Sequence, residues 1–342
     1  MNPLKRWCGV SARRLAQTLS GIALCLLAPV CAGMADEVAP RDAIEIAKRS
    51  VPFLNEKGID WIEGRSCTSC HQVPAMLWSL NSAVRAGLEV DRKDLAERAE
   101  WAVDWRHWMQ TGAKEGVDKV SSVNTDTMAA LLLARDAEAE KSGEWRREFR
   151  THLLKNQQGD GSWKAGGQLP LGKRPARETT EVSTMWTLLA LNSYGAEAAL
   201  PEVKARADAF LAAAEPGKST EWHAAKLLLQ AGDEALRSEL LKQQHADGGW
   251  GWLAAGPSDA FGTGLALYAL ARSGVPPEHE AVKRAIEYLK TTQEPNGSWA
   301  VPSTRAKDKD KVIATSRYWG TAWAVVGLLE SQRPTTRVTQ SR

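Results

Sequence analysis

Cysteine is scarce in this chain: five residues in 342, of which Cys8, Cys25 and Cys31 fall in the first 35. Beyond those only Cys67 and Cys70 remain, so a disulfide-stapled scaffold and a four-cysteine zinc site are both excluded. Phenylalanine and tyrosine are also sparse, four each, while tryptophan numbers 15. Runs that alternate apolar and polar residues in the manner of strands are absent. The longest apolar run, Leu19 to Val30, is too short for a typical membrane span. Charge of one sign is not in excess either. Lys5, Arg6, Arg13 and Arg14 are the only charges in the first 35 residues, and without them 40 basic residues face 41 acidic ones, a net charge of −1. No polycationic patch is left to bind nucleic acid.

What is present at the N-terminus reads as an export signal. A basic stretch (Lys5, Arg6, Arg13, Arg14) precedes the apolar run, and Gly33-Met34-Ala35 before Asp36 forms a small-x-small cleavage site, with Val30-Cys31-Ala32 as a second candidate. Ala28-Pro29-Val30-Cys31 suits a lipoprotein box poorly, because bulky Val30 precedes the cysteine, and Arg13-Arg14 makes only a weak twin-arginine signal. The expectation is a cleavable signal at 1–35, one domain at 36–334, a disordered tail at 335–342, and export to a bacterial periplasm with no transmembrane segment in the mature chain.

The two remaining cysteines stand in Cys67-Thr68-Ser69-Cys70-His71. C-x-x-C-H is the attachment signature of c-type haem: two thiols three apart on a turn reach the two vinyl groups, and the adjacent imidazole reaches iron. Cys67, Cys70 and His71 are therefore the cofactor candidates, with haem c as the cofactor. Three other readings stand beside it. An oxidising compartment favours a short disulfide loop; a thioredoxin-like pair lacks a preceding strand; zinc lacks a fourth ligand. For the distal side of the iron, Met128, Met185 and His223 begin or line other buried helices, whereas Met76 sits five residues beyond His71 on one helix and His107 and His152 fall on outer ones.

A repeat dominates the rest. HLLKNQQGDGSW (152–163), ELLKQQHADGGW (239–250) and YLKTTQEPNGSW (288–299) align Leu153, Leu240 and Leu289, then Gln157, Gln244 and Gln293, then Gly161, Gly248 and Gly297, then Trp163, Trp250 and Trp299. Each begins as an apolar helix end and is broken by Gly, Asn or Asp. Weaker copies run through Arg49, Phe53, Leu54, Gly58 and Trp61 and through Arg206, Ala207, Phe210, Leu211 and Glu215. After each strong copy comes a helix apolar nearly all round (182–191, 261–270, 319–328), carrying Thr184, Thr263 and Thr321 in register. Such helices are buried on both sides, and amphipathic ones such as 278–291 keep a wet face. The pattern predicts outer helices near 41–56, 92–110, 144–157, 201–214, 234–244 and 279–291. Buried partners are predicted near 72–86, 123–136, 180–193, 220–230, 260–273 and 318–330. Six hairpins suffice to close an all-α, α/α barrel or toroid around a central cavity.

The Q-x-x-x-G-x-W element with its upstream Arg-Ala and aromatic-Leu, best kept as Arg284, Ala285, Tyr288, Leu289, Gln293, Gly297 and Trp299, resembles the QW motif of squalene-hopene cyclases and related α/α toroids of the terpenoid cyclase and protein prenyltransferase superfamily. The resemblance covers most of 41–330. It implies that these residues carry fold: the Gln caps a helix end and stacks on the Trp of a neighbouring repeat. The family protonates its substrate through the middle Asp of D-x-D-D-T-A. Here the stretch reads Val123-Asn124-Thr125-Asp126-Thr127-Met128, so Thr125 stands in place of the acid and only the last Asp survives, as Asp126. A threonine hydroxyl does not protonate an alkene, and the carboxyl pair that would raise one pKa is gone. Asp126 is the one weak catalytic candidate, with the role of capping its helix. A zinc-dependent prenyltransferase site lacks its cysteine.

Trp78, Trp186, Trp222, Tyr268, Trp319 and Trp323 on buried helices are candidates to line an apolar pocket for a polyprenyl- or hopanoid-like molecule; filling core is their other role. Loops 164–178 and 301–316 either cover the mouth or are solvated connections. Two functions follow. One is a periplasmic haem-bearing toroid that exchanges electrons with a redox partner or oxidises a bound apolar, isoprenoid-like small molecule. The other is an isoprenoid-binding or cyclase-like toroid without haem, its Cys67 and Cys70 forming a disulfide or metal site.

Overall fold

The computed structural model of the chain describes residues 38–65, 68–69, 71–104, 124–134, 143–166, 173–193 and 200–333. The signal at 1–35, the tail at 335–342, Cys67, Cys70 and His107 lie outside them. Twelve helices and no strands occur among the described residues: α1 (Val38–Arg65), α2 (Val73–Arg85), α3 (Arg92–Val103), α4 (Thr125–Ala134), α5 (Glu144–Lys155), α6 (Ala176–Asn192), α7 (Leu200–Ala212), α8 (Thr220–Leu229), α9 (Glu234–Lys242), α10 (Ala260–Arg272), α11 (Glu280–Thr292) and α12 (Ala314–Glu330). None of them is long and apolar enough to cross a membrane.

The even-numbered helices form a closed inner ring, α2 on α4, α4 on α6, α6 on α8, α8 on α10, α10 on α12 and α12 back on α2, and the odd-numbered ones pack outside it. Hydrophobicity sorts the layers. Ten of the thirteen residues of α10 are buried, all but Tyr268, Ala271 and Arg272, whereas α9 buries only Leu240. This is the expected α/α toroid of six hairpins.

The repeat supplies the bolts of the outer wall. Gln157 at the end of α5 donates from Nε2 to the Gly161 carbonyl (2.9 Å) and to the Val203 carbonyl of α7 (2.8 Å). Gln244 does the same to Gly248 and to Ala281 of α11, both at 2.8 Å. Gln293 reaches Gly297 (3.1 Å) and Ile46 of α1 (3.0 Å). Gln157 and Gln244 thus each tie one outer helix to a later one through the backbone, and Gln293 ties the last outer helix to the first. The tryptophans are spent within their own repeat: Trp163, Trp250 and Trp299, all fully buried, donate from Nε1 to the carbonyls of Leu153, Leu240 and Leu289 at 2.7, 2.8 and 2.9 Å. Their backbone N–H groups donate to Thr184, Thr263 and Thr321, at 3.1, 3.0 and 3.2 Å, which explains those aligned threonines.

Between Gln and Trp, Gly161, Gly248 and Gly297 adopt φ of 91°, 91° and 81°, the left-handed region open to glycine. A Cβ there would stand 2.2, 2.5 and 2.1 Å from the carbonyl oxygens of Arg206, Arg284 and Arg49 on the next outer helix. The weak copy at 49–61 is different. It is not a turn: α1 continues to Arg65, past the expected end at 56, and Gly58 lies inside it. A Cβ at Gly58 would fall 2.2 Å from Met76 Sδ and 2.9 Å from the Tyr318 hydroxyl, which donates to the Leu54 carbonyl at 2.9 Å. There the glycine serves close approach of α2 and α12.

Gly297→Ala combines strained backbone with overpacking and is expected to lower stability by roughly 1–3 kcal/mol or more. Gly159→Ala, where nothing lies within 4 Å, is expected to be near neutral. Urea unfolding of the two variants against wild type measures the difference.

Candidate functional site

Alternation between layers makes the inner helices run in one direction, so their N-terminal ends gather at one end of the ring. Carboxylates collect there, where helix dipoles favour negative charge. Asp126 stands in the first turn of α4, Glu178 and Glu181 open α6, and Glu221 opens α8; each is at most 4% exposed. Asp259 caps α10, accepting from Gly262 N–H at 2.8 Å and Trp252 N–H at 2.7 Å; burial pushes its carboxyl up to about 6.

The buried charges are bonded across helices. Glu178 accepts from Ser219 N–H (2.9 Å), Ser219 Oγ (2.5 Å) and Lys218 N–H (3.0 Å). Glu181 accepts from Arg177 Nε (2.8 Å) and Trp222 Nε1 (2.9 Å). Glu221 accepts from Arg174 Nη1 (2.9 Å) and Trp186 Nε1 (3.3 Å). Arg174, its side chain fully buried, also donates to Ser219 Oγ at 3.0 Å and lies over the Trp252 ring at 5.3 Å. Arg174, Glu178, Glu181 and Glu221 belong to no motif of the sequence. The one signal is acid in the first turns of helices otherwise apolar all round, at Glu178 and Glu221.

A cavity with about 540 Å³ of empty space, its open mouth included, lies inside the ring. Trp78, Trp186, Trp319, Trp323, Asp126 and Glu221 are on its wall. The indoles are clustered: Trp78 and Trp323 lie 5.1 Å apart, Trp186 and Trp323 5.5 Å, Trp78 and Trp186 6.0 Å. Trp222 and Tyr268 are not on that wall. The indole of Trp222 packs on His223 at 5.1 Å, and Tyr268 backs Trp78 at 5.7 Å.

His71 precedes α2 at the rim. Its Nε2 lies 3.2 Å from Ser69 Oγ, and its ring is 6.0 Å from Trp61 and 6.3 Å from Trp319. Ser69 takes a left-handed backbone, φ 38°. Burial, with a contribution from the Arg305 charge, lowers the imidazole from 6.5 to about 4. Arg305 belongs to a loop held by Lys173, whose Nζ donates to the carbonyls of Ser303 and Lys309, both at 2.6 Å. The two loops expected near the mouth are thus tied to each other.

The distal candidates lie on three different inner helices, α4, α6 and α8. Met128 and Met185 are buried in α4 and α6 and are not among the residues on the cavity wall. His223 turns outward: Nε2 lies 2.9 Å from the Gly217 carbonyl and Nδ1 3.4 Å from Glu239 on α9. The cap of α4 also differs from expectation. Asn124 Oδ1 accepts from Asp126 N–H at 2.9 Å, while Asp126 Oδ2 accepts from Gly166 N–H at 2.6 Å. Asn124, one residue before the helix, has the geometry to cap; Asp126, already inside it, joins α4 to the loop after Trp163.

Two outcomes follow. Asn124→Ala is expected to cost about 1 kcal/mol in thermal or urea unfolding, the value of a lost cap. For His71 the folded pKa lies below the unfolded one, so below pH 6.5 the unfolded chain binds more protons and stability is lost as pH falls towards 4. The melting temperature of the haem-free chain should decline over that range, and His71→Asn should flatten the decline.

Residues 229–341 match the squalene-hopene cyclase C-terminal domain family. The squalene-hopene cyclase of Zymomonas mobilis is 33% identical over 99 residues, 26% of this chain and 14% of that enzyme, so the chain spans a small part of its length. Among solved structures, two variants of the type II terpene cyclase MstE from Scytonema, in complex with geranylgeranyl dihydroxybenzoate, superpose over 86% of this chain and 98% of theirs. Their TM-scores are 0.53 and 0.52, at 15% and 16% identity. At that identity the likeness is one of architecture: the chain has the α/α toroid fold seen in type II terpene cyclases.

Proposed function

We propose that this chain is an exported toroid that takes an apolar, isoprenoid-like small molecule into the cavity of its inner ring. In this reading it carries a c-type haem on Cys67, Cys70 and His71 at the rim, for electron exchange with a periplasmic redox partner or oxidation of the bound molecule. The observation that carries the reading is the position of His71, whose ring faces Trp319, itself on the cavity wall. Motif and cavity meet at Trp319.

The donor set suits the group: two thiols three apart and an imidazole next to them. One-electron transfer at iron is the chemistry such a group supplies when bound. The chain's part is to hold and to exclude water. Trp61 and Trp319 flank His71, whose imidazole, with Nε2 3.2 Å from Ser69 Oγ, would hold the iron. The indoles of the wall hold the apolar molecule. Acid-initiated cyclisation is poorly served, because the oxygens of Glu221 are already engaged by Arg174 and Trp186 and Thr125 replaces the family's acid.

Export of the full chain together with c-type haem maturation enzymes tests the proposal. The expected protein is coloured, with a Soret band that survives acid-acetone extraction. Cys67→Ser and Cys70→Ser each weaken retention, the double variant loses covalent haem yet keeps its helical circular dichroism, and His71→Ala alters the spectrum more than the attachment. A colourless protein whose mass is that of the bare chain less two hydrogens would favour the second reading, an isoprenoid-binding toroid with a disulfide.

A further inference from the structure

We propose that loop 301–312 is the docking surface for an acidic protein, which it meets with Val312 and the ammonium groups of Lys307, Lys309 and Lys311. This rests on the proposed electron exchange for the partner's task, not for the binding itself. The loop runs from the Trp299 turn to α12, long for a connection between helices, and such lengths go with function or with disorder. Here the loop is built. Ser303 N–H donates to the Lys311 carbonyl at 2.8 Å, Pro302 and Val312 form an antiparallel bridge, and residues 306–308 make a 3-10 turn. Lys173 Nζ, 130 positions away from Ser303, donates to the carbonyls of Ser303 and Lys309. A surface already ordered gives up little freedom when a partner lands on it.

The acids of the loop are engaged from within. Asp308 accepts from Ser303 Oγ at 2.7 Å and from Arg305 Nε at 2.6 Å, and Asp310 pairs with Lys173 at 3.2 Å. Lys307, Lys309 and Lys311 are exposed and enter no ion pair among the described residues. Residues 36–342 carry a net charge of −1, so this excess of cations is local. Next to Lys311 stands Val312, 40% exposed and the one large apolar side chain exposed among the described residues. Cations beside an apolar contact steer an acidic partner and give it a small centre to dry. A membrane of anionic lipid would be drawn to the same lysines, but one valine offers little apolar area to insert. The loop also lies beside the rim: a Cβ on Gly320 would fall 2.4 Å from Val301 Cγ2, and the preceding residue, Trp319, packs on His71 at 6.3 Å. The charge of Arg305 is felt by the same imidazole.

Biolayer interferometry of the full exported chain tests the surface with flavodoxin, a small acidic electron carrier, with lysozyme, a basic protein, and with vesicles of phosphatidylglycerol. Flavodoxin is expected to bind and lysozyme not to, and the binding should weaken as salt rises towards about 0.15 M. Reversing three charges together, Lys307→Glu, Lys309→Glu and Lys311→Glu, should weaken it by about tenfold or more, and Val312→Ser by about threefold. The control reverses three exposed lysines of the outer helices, Lys48→Glu, Lys155→Glu and Lys242→Glu, and should stay within about twofold of wild type, because net charge changes equally and only place differs. All six lysines are exposed, so both variants should melt as wild type does. Equal weakening by the two sets overturns the proposal, as does flavodoxin binding no better than lysozyme. Vesicles bound more tightly than flavodoxin, through the same three lysines, overturn it in favour of a lipid contact. Colour reports on the haem separately: a colourless chain that binds flavodoxin through the loop keeps the surface and loses the haem, and a coloured chain that does not bind keeps the haem and loses the surface.

Discussion

A ring exists only if its last hairpin meets its first, and in this chain the meeting is made by a glutamine amide and a glycine. Gln293 Nε2 reaches the Ile46 carbonyl across 247 positions of sequence, and Ser50 Oγ donates back to the Gly297 carbonyl at 2.6 Å. Tyr318 of α12 seals the same seam on Leu54. The loop entropy of bringing the ends together is spent before these contacts form, but it grows only logarithmically with length, so a few well-packed contacts suffice. The inner helices depend on them. Because α12 and α2 are apolar nearly all round, each needs a neighbour on both sides, and the seam supplies one. The cavity sits on that seam, since Trp78 belongs to α2 and Trp319 and Trp323 to α12.

Closure also dictates electrostatics. Six inner helices that run in one direction present their N-terminal N–H groups at one end, and the chain answers with acids there rather than with further apolar residues. Glu178 takes two backbone N–H groups ahead of α8, which is what the start of a buried helix requires. Glu178 and Glu181 find partners at the start of α8 and Glu221 finds one on α6, so each of these carboxylates is both a dipole partner and a link. The same economy leaves the cavity wall with negative groups and its compensating arginine behind them.

How much of this was legible in the sequence depends on how local its cause is. The repeat was legible because Gln, Gly and Trp are forced to fixed spacing by one turn: the glycine must be left-handed, and the glutamine must reach its carbonyl four residues on. Ten of the twelve helices end close to where hydrophobic period and breakers place them. Of the exceptions, α3 stops at Val103, short of the expected 110, and α1 runs on because Gly58, a breaker by type, faces a sulfur and a phenol that no local rule reveals. The charged network was not legible. Glu181 and Trp222 are 41 positions apart and Arg174 and Glu221 are 47, so their burial depends on contacts that only the closed ring creates. Asn124 and Asp126 are equally good capping types, and position relative to the first turn decided between them.

Trp319 joins the two halves of the argument. Its ring lies 4.7 Å from Phe261 inside the ring and 6.3 Å from His71 at the rim, and it forms part of the cavity wall. The loop carrying Arg305, whose charge reaches His71, is clamped by Lys173, a neighbour in sequence of the Arg174 that engages Glu221. Residues 173 and 174 therefore hold both that loop and the polar side of the cavity. In the proposed reading, a group held by His71 and a molecule in the cavity would both border the Trp319 indole. This is a physical reason for a single chain to carry both features: the indole that helps dry the imidazole also belongs to the cavity wall.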